Sequence, residues 1–201
     1  MYTGYYMLLD SYNGDMDARY RPELIEEHDP RLIIVMLGGW DAFYAEDKGT
    51  DAYLEVIDDA VELLTVRGAR ILWLSMLPGP DTDTEEMDAI FRDLPEIYPG
   101  VVAYGDIADS LRGPKGDYPR WIPGDDGELI LARKPDGWHV CPDGAVQIAR
   151  VVGRVSAFLG LSPEVERGWE DGGWRDNQRY DDPPGGCDVE KAENAPPTEG
   201  R

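Results

Sequence analysis

One short stretch of the chain carries side chains that could perform acid–base chemistry. It reads KPDGWHVCPDGA and contains His139, one of two histidines in the protein. Asp136 precedes His139 by three residues across a glycine, so its carboxylate can accept a hydrogen bond from one ring nitrogen. The other ring nitrogen is then able to act as a general base, which suits nucleophilic catalysis. The plainer alternative is a loop histidine beside a capping aspartate, because an isolated D-x-x-H pattern often occurs by chance.

A second candidate stretch, LGGWDAF, directly follows the apolar run Ile33 to Leu37. In open parallel sheets, ligands bind beyond the carboxyl ends of the strands. Gly38 and Gly39 would allow a sharp turn there and let a substrate approach main-chain N–H groups. Trp40 and Asp41 would then project at the rim of the site. The plainer alternative is a packing tryptophan and a helix-capping aspartate after a glycine turn.

The elements that must position these stretches alternate along the chain. Short apolar runs predict strands at Ile33–Leu37, where the run Arg31–Trp40 then enters a glycine loop, at Ala69–Leu77 and at Val101–Tyr104. Apolar residues at 3.6-residue spacing predict helices over residues 50–68, 84–100 and 143–161, with Pro95 ending the second one early. Residues 112–133, rich in Gly, Pro and Asp, are predicted to be a long irregular excursion. The alternation predicts a three-layer α/β/α domain with a parallel sheet and right-handed crossovers.

Composition limits the classes of partner. The 41 acidic and 19 basic residues give a formal net charge of −22, and such a surface repels nucleic-acid phosphates and anionic lipid headgroups. No apolar run approaches the roughly 20 residues that span a bilayer, and the N-terminus lacks the pattern of a signal peptide. With two histidines and no Cys-x-x-Cys pair we expect no zinc site. The acidic run DTDTEE offers oxygen ligands for calcium but is more typical of a solvated loop, so we expect no metal and no cofactor.

Two cysteines allow one disulfide or two free thiols, and the surroundings of Cys187 favour the disulfide. Free cysteines usually have apolar neighbours, whereas Cys187 lies in the Gly/Pro-rich segment PPGGC. A Cys141–Cys187 disulfide would pin this segment over the stretch that carries Asp136 and His139, with Cα atoms within about 7 Å. It would also imply an oxidising compartment.

In this order along the chain, the two candidate stretches resemble the later sequence blocks of the SGNH (GDSL-like) hydrolase superfamily, G-x-N-D and D-x-x-H. More narrowly, RKPDGWHVCPDGA and the tail W…RYDDPPGGC are similar to SGNH domains attached to membrane acyltransferases that O-acylate cell-envelope sugars. The resemblance covers the chain from Asp29 to Cys187. It implies a flavodoxin-like α/β fold, acyl transfer through a serine ester, and an extracytoplasmic or membrane-associated location.

The resemblance also implies roles for individual residues. His139 would be the general base, and Asp136 would orient it. Gly38 would line the oxyanion loop, and Asp41 would brace that loop. The family pattern has asparagine where this chain has Trp40, and such an amide can lower the barrier by about 3 kcal/mol by donating to the developing oxyanion. The single indole N–H of Trp40 would replace it only if the ring turns inward.

The family's catalytic serine has no clear counterpart. The first block, G-D-S, does not occur, and the nearest match is LLDSYNG, which contains Ser11. Ser11 precedes Gly38 by 27 positions (38 − 11), too few for the helices and strand that normally intervene. We therefore expect a truncated domain whose first strand, first helix and serine lie upstream of Met1; the alternatives are Ser11 as the nucleophile, or a non-catalytic relative. Ser75 and Ser110 are expected to be structural hydroxyls in a strand end and a loop.

The expected organisation is a remnant segment over 1–25, an SGNH-like α/β domain over 26–163, and an acidic Gly/Pro-rich tail over 164–201 that is irregular or disordered. The expected function is that of a serine esterase or O-acyltransferase domain, inactive if the serine is missing, and the resemblance implies cell-envelope carbohydrate as its substrate. We expect a monomer, with a membrane acyltransferase domain in the parent protein and no nucleic-acid partner.

Two other functions fit the same fold. The first is a non-catalytic carbohydrate-binding or interaction domain, for which aromatic rings would offer stacking faces: Trp40, Trp121, Trp138 and Trp174. The second is a flavodoxin-like regulatory domain. It would need an acidic pocket at the ends of other strands, and the sequence shows no such cluster.

Overall fold

The computed structural model describes residues 25–38, 41–79, 84–161, 164–181 and 186–193. The chain divides into two compact units. The first comprises Met1–Met76, Thr84–Asp106 and Val155–Leu161, and the second comprises Leu77–Asp83, Ile107–Arg154 and Ser162–Arg201.

A parallel three-stranded sheet lies in the first unit. Its strands are β1 (Leu32–Val35), β2 (Arg70–Leu74) and β3 (Val102–Gly105), hydrogen-bonded in the order β1-β2-β3. Ile71 of β2 is in register with Ile33 of β1 and with Val102 of β3. The predicted parallel sheet is therefore confirmed, but β1 ends at Val35 and β2 at Leu74, earlier than predicted, because the apolar runs continue into the loops that follow.

The described part of the first unit contains α1 (residues 25–28), α2 (Asp41–Lys48), α3 (Thr50–Thr65) and α4 (Glu85–Ile97). The sequence did not predict α2. The apolar stripe predicted for α3 is buried, at positions three or four residues apart: Tyr53, Ile57, Ala60 and Val61. Such a stripe faces the core because it places apolar side chains on one side of the helix. With parallel strands, these helices form the mixed α/β architecture expected of a three-layer α/β/α fold.

Helix α4 continues past its internal proline. Pro95 has no N–H to donate within the helix, yet the Tyr98 N–H donates to the Leu94 carbonyl at 2.8 Å. Phe91 and Leu94 are fully buried, and the Phe91 ring lies 5.4 Å from the Trp73 ring, centroid to centroid. Burial of this face stabilises the helix more than one missing hydrogen bond weakens it. The prediction that Pro95 ends the helix early is therefore wrong.

The second unit contains a β-hairpin where an irregular excursion was predicted over residues 112–133. Strands β4 (Trp121–Pro123) and β5 (Leu129–Leu131) pair antiparallel, and the Gly124 N–H donates to the Glu128 carbonyl at 2.7 Å. Ile122 packs with neighbouring apolar residues of the unit, and this burial supports the pairing. The unit also holds most of α5 (Pro142–Phe158) and the short α6 (Val189–Glu193).

Cys141 and Cys187 form the predicted disulfide, with Cα atoms 5.4 Å apart. Cys141 is buried and packs with Leu131 of β5 and Ala192 of α6. The bond ties the tail to the start of α5, at the end of the Asp136–His139 stretch.

Loss of this disulfide should destabilise the protein substantially. The bond closes a loop with a sequence separation of 46 residues, for which the chain-entropy estimate of stabilisation is about 4 kcal/mol. We expect a Cys141→Ala/Cys187→Ala double variant to lose free energy of unfolding of this order in urea titrations. The fully reduced wild type is the matched control and should lose a similar amount. Equal unfolding midpoints for the oxidised and reduced proteins would contradict the prediction.

Candidate active site

The stretch from Lys134 to His139 is a tight loop closed at its base. Arg133 and Val140 form an antiparallel bridge, and the Lys134 N–H donates to the His139 carbonyl at 2.8 Å. Within the loop the Gly137 N–H donates to the Lys134 carbonyl at 3.1 Å. Gly137 has φ 73°, in the left-handed region that glycine adopts without a Cβ penalty. The loop therefore has a defined backbone rather than an extended, mobile one.

The Asp136 carboxylate binds three N–H groups of this loop. Its Oδ1 accepts the backbone N–H groups of Trp138 and His139 at 2.9 and 3.0 Å. Its Oδ2 lies 2.7 Å from Nδ1 of the His139 ring. The two backbone bonds orient the carboxylate so that its second oxygen faces the imidazole. The structure thus brings together the two residues that the D-x-x-H pattern singled out.

The protonation of the pair follows from these bonds. Burial acts to raise the pKa of Asp136, but hydrogen bonds from the His139 ring and from the backbone of His139 and Trp138 outweigh it and hold this pKa below its ordinary value. An ionised carboxylate only accepts hydrogen bonds, so Nδ1 of His139 carries the proton in the 2.7 Å contact. Nε2 of the neutral ring is then the basic atom. The His139 side chain is 61% exposed, so a substrate can approach it.

The Gly38 loop belongs to the first unit. Gly38 has φ 131°, and a Cβ there would lie 3.0 Å from Cε2 of Phe91 and 3.1 Å from Sδ of Met76. Its carbonyl accepts the Ala42 N–H at 2.9 Å, at the start of α2. Backbone conformation and close packing therefore both require glycine at this position, as the sequence predicted for a sharp turn.

Asp41 is buried rather than projecting at a rim. It is 1% exposed as the first residue of α2, so the rim placement predicted from the sequence is wrong. Burial, together with the nearby Asp41 charge, raises the pKa of the Tyr53 hydroxyl. Asp41 is therefore part of the interior of the first unit, which fits a bracing role better than direct contact with a substrate. Gly39 and Trp40 lie outside the described residues.

Three serines fall within the described residues, and each has a structural setting. Ser75 and Ser156 are 1% and 2% exposed. The Ser110 hydroxyl donates to the Ile107 carbonyl at 2.7 Å, within its own turn. Ser11, the alternative nucleophile, lies outside the described residues. No clustered set of three or more His, Cys, Asp or Glu that could hold a metal occurs in the part of the chain that the structure describes.

Sequence reasoning missed two buried basic side chains beside the loop. Arg133 is fully buried and Lys134 is 5% exposed. The Lys134 ammonium donates to the Arg179 carbonyl, which joins the loop to the tail of the same unit. The sequence does contain a signal for these side chains. Two adjacent basic residues directly precede the Asp-x-x-His stretch of a strongly acidic chain, whereas basic residues that are only solvated would be expected elsewhere on the surface.

The low pKa of Asp136 predicts a stability difference that depends on pH. A carboxyl whose pKa is lower in the folded state stabilises the fold above its unfolded value of about 3.9, and this contribution is lost as pH falls through the folded value. We expect the free energy of unfolding of the wild type to exceed that of Asp136→Asn near pH 6, and the gap to shrink below about pH 4. Urea titrations from about pH 2 to 7 measure the gap. Asp93→Asn, an exposed carboxylate on α4, is the control, and a gap for Asp136→Asn that does not change with pH would contradict the prediction.

Comparison with known proteins places the chain in a family. No curated protein matches it. In the described ranges, no helix is long and apolar enough to cross a membrane. The family model DUF459, described as a protein of unknown function, matches residues 11–154. This match includes both the Gly38 loop and the Asp136–His139 loop and extends over well more than half of the 201 residues. The chain therefore belongs to the DUF459 family, a family of unknown function that is SGNH-hydrolase-like.

Proposed function

We propose that the protein is an SGNH-type acyl-transfer domain, an esterase or O-acyltransferase, in which Asp136 and His139 form the acid–base arm. One observation carries the proposal: the 2.7 Å contact between Asp136 Oδ2 and His139 Nδ1 in an exposed loop. This contact orients the ring, fixes its tautomer and leaves Nε2 as the base. General acid–base catalysis needs such a group positioned to exchange a proton with a reacting oxygen.

The proposed reaction proceeds in two balanced steps. Nε2 of His139 takes the hydroxyl proton of a serine while the serine oxygen attacks the ester carbonyl, and the protonated imidazole then gives that proton to the departing alcohol. In the second step Nε2 takes a proton from water or a sugar hydroxyl, whose oxygen attacks the acyl-serine. His139 returns the proton to the serine oxygen as the acyl group leaves. In both steps the oxyanion that forms on the carbonyl oxygen would need hydrogen-bond donors to stabilise it.

The substrate class rests on charge and on family likeness. A net charge of −22 disfavours strongly anionic substrates, which favours uncharged acyl esters. The likeness to SGNH domains of cell-envelope acyltransferases suggests acylated carbohydrate within that class. The serine would be one other than Ser75, Ser110 and Ser156, because these three are buried or bonded within their own turns.

A non-catalytic carbohydrate-binding domain is the second candidate. Two features favour it. The described serines are buried or bonded within their own turn, and an exposed aromatic ring lies beside the histidine. Trp138 is 40% exposed and could stack on a sugar ring. In this alternative the Asp136–His139 pair would serve only to shape the loop.

Substitution of His139 should separate the two candidates. With Ser11 supplying the nucleophile, we expect the wild type to hydrolyse p-nitrophenyl acetate and acetylated sugars. His139→Ala should then lower kcat by about 10² to 10⁴-fold, the usual contribution of a general base. His28→Ala removes the protein's other histidine and is the matched control, with unchanged kcat. Turnover that survives in His139→Ala, or no turnover by the wild type, would contradict the acyl-transfer proposal.

A fluorophosphonate probe should identify the nucleophile. The probe phosphonylates activated serines, so peptide mapping by mass spectrometry should find one labelled serine in the wild type and much weaker labelling in His139→Ala. If no serine is labelled but acetylated sugars protect Trp138 from oxidation, the binding function is correct instead. Labelling of Ser75 or Ser156 would contradict the structural roles given to these buried hydroxyls.

A further inference from the structure

Arg133 lies directly beneath the Asp136–His139 loop and is completely buried. Its relative exposure is 0%. One terminal nitrogen, Nη1, donates to two backbone carbonyls at 2.7 Å each, those of Pro78 and Gly137. The Gly137 carbonyl belongs to the loop, between the carboxylate and the imidazole. The Pro78 carbonyl comes from a segment 55 residues earlier in the chain that belongs to the same unit.

This burial is energetically unfavourable for the arginine itself. Among the described residues, its Nε and Nη2 are buried without a hydrogen-bond partner, and a cation that is incompletely solvated inside a protein is strongly destabilised. Burial accordingly lowers the pKa of Arg133, while the electrostatic influence of Tyr118 and Asp136 opposes this. The guanidinium carbon also lies 5.3 Å from the centre of the Tyr118 ring. These partial compensations do not explain why a charge occupies this position rather than an apolar side chain.

One hydrogen bond of Nη1 holds the Gly137 carbonyl inside the loop, and the other ties the same nitrogen to the Pro78 carbonyl outside it. The Gly137 peptide determines the path of the chain between Asp136 and His139, and Gly137 itself adopts φ 73°. If its carbonyl were released, the loop could rotate there, and the backbone N–H groups of Trp138 and His139 would move relative to Asp136 Oδ1. The orientation of the carboxylate depends on those two bonds.

We propose that Arg133 is the positioning residue of the Asp136–His139 pair, holding the Gly137 carbonyl so that the carboxylate keeps the His139 ring in its Nδ1–H tautomer. The relevance of this role to catalysis rests on the function proposed above. The hydrogen bonds that Arg133 donates go to backbone carbonyls, so it acts on the imidazole through the loop. The planar guanidinium suits the task because its position is rigid and it remains charged at any relevant pH.

The tautomer of His139 gives a direct test that does not depend on turnover. Protein with ¹⁵N-labelled histidine contains two imidazoles, His28 and His139, and ¹⁵N shifts distinguish Nδ1–H from Nε2–H rings. At about pH 9, well above the ordinary histidine pKa of about 6.5, we expect wild-type His139 to be mostly Nδ1–H. In Arg133→Met its population should shift clearly toward Nε2–H, with His28 unchanged.

Two further variants make the test decisive. Arg112 lies 5.0 Å from the same Tyr118 ring, so Arg112→Met removes a neighbouring cation without touching the loop and should leave the His139 tautomer unchanged. Arg133→Lys keeps the charge but lacks the planar guanidinium. It should shift the His139 tautomer population in the same direction as Arg133→Met does, but by a smaller amount. This variant decides the question if Arg133→Met does not fold. An unchanged His139 tautomer in a folded Arg133 variant, or an equal shift in Arg112→Met, would overturn the proposal.

The same samples separate this inference from the proposed function. If the wild type is inactive but the Arg133 variants show the expected tautomer shift, the positioning role is supported and acyl transfer is contradicted. An active wild type whose Arg133 variants keep the wild-type tautomer would support acyl transfer and contradict the positioning role.

Discussion

The Asp136 carboxylate accepts three hydrogen bonds from its own loop, and the chemistry available to His139 depends on them. Two backbone N–H groups hold one oxygen, and the ring N–H meets the other at 2.7 Å. Burial alone would favour the neutral acid, but the hydrogen bonds prevail and hold the pKa of Asp136 low. The carboxylate therefore remains an acceptor, and the opposite ring nitrogen is the basic one.

Much of the second unit holds this loop closed. The backbone bridge from Arg133 to Val140 joins its ends, and the disulfide at Cys141 fixes the chain just after it. Gly144 lets α5 begin close to the preceding strand, since a Cβ there would lie 2.2 Å from the Ala132 carbonyl oxygen. Arg133 is a buried cation whose hydrogen bonds are incomplete, and such departures tend to occur where function competes with stability.

The sequence predicted the parallel sheet and the main helices well because their signals are strong and local. Strands buried on both faces appear as continuous apolar runs, and α3 shows a regular apolar stripe. The failures share a different cause. The β4–β5 hairpin lies in a segment so rich in Gly, Pro and Asp that its composition predicts an irregular excursion. At Pro95 the local rule that an internal proline ends a helix does not hold, because burial of Phe91 and Leu94 in the core stabilises α4.

By itself the sequence determined the Asp136–His139 pair, since three residues and a glycine are enough for a carboxylate to reach a ring within one turn. It also favoured a Cys141–Cys187 disulfide over two free thiols, because Cys187 lies in a Gly/Pro-rich segment rather than among apolar residues. Only the tertiary structure decided that Asp41 is buried, that Phe91 and Met76 crowd Gly38, and that Arg133 binds the Pro78 carbonyl 55 residues away. Those contacts depend on how distant segments pack, and burial and charge compensation arise only when the packed surfaces exclude water.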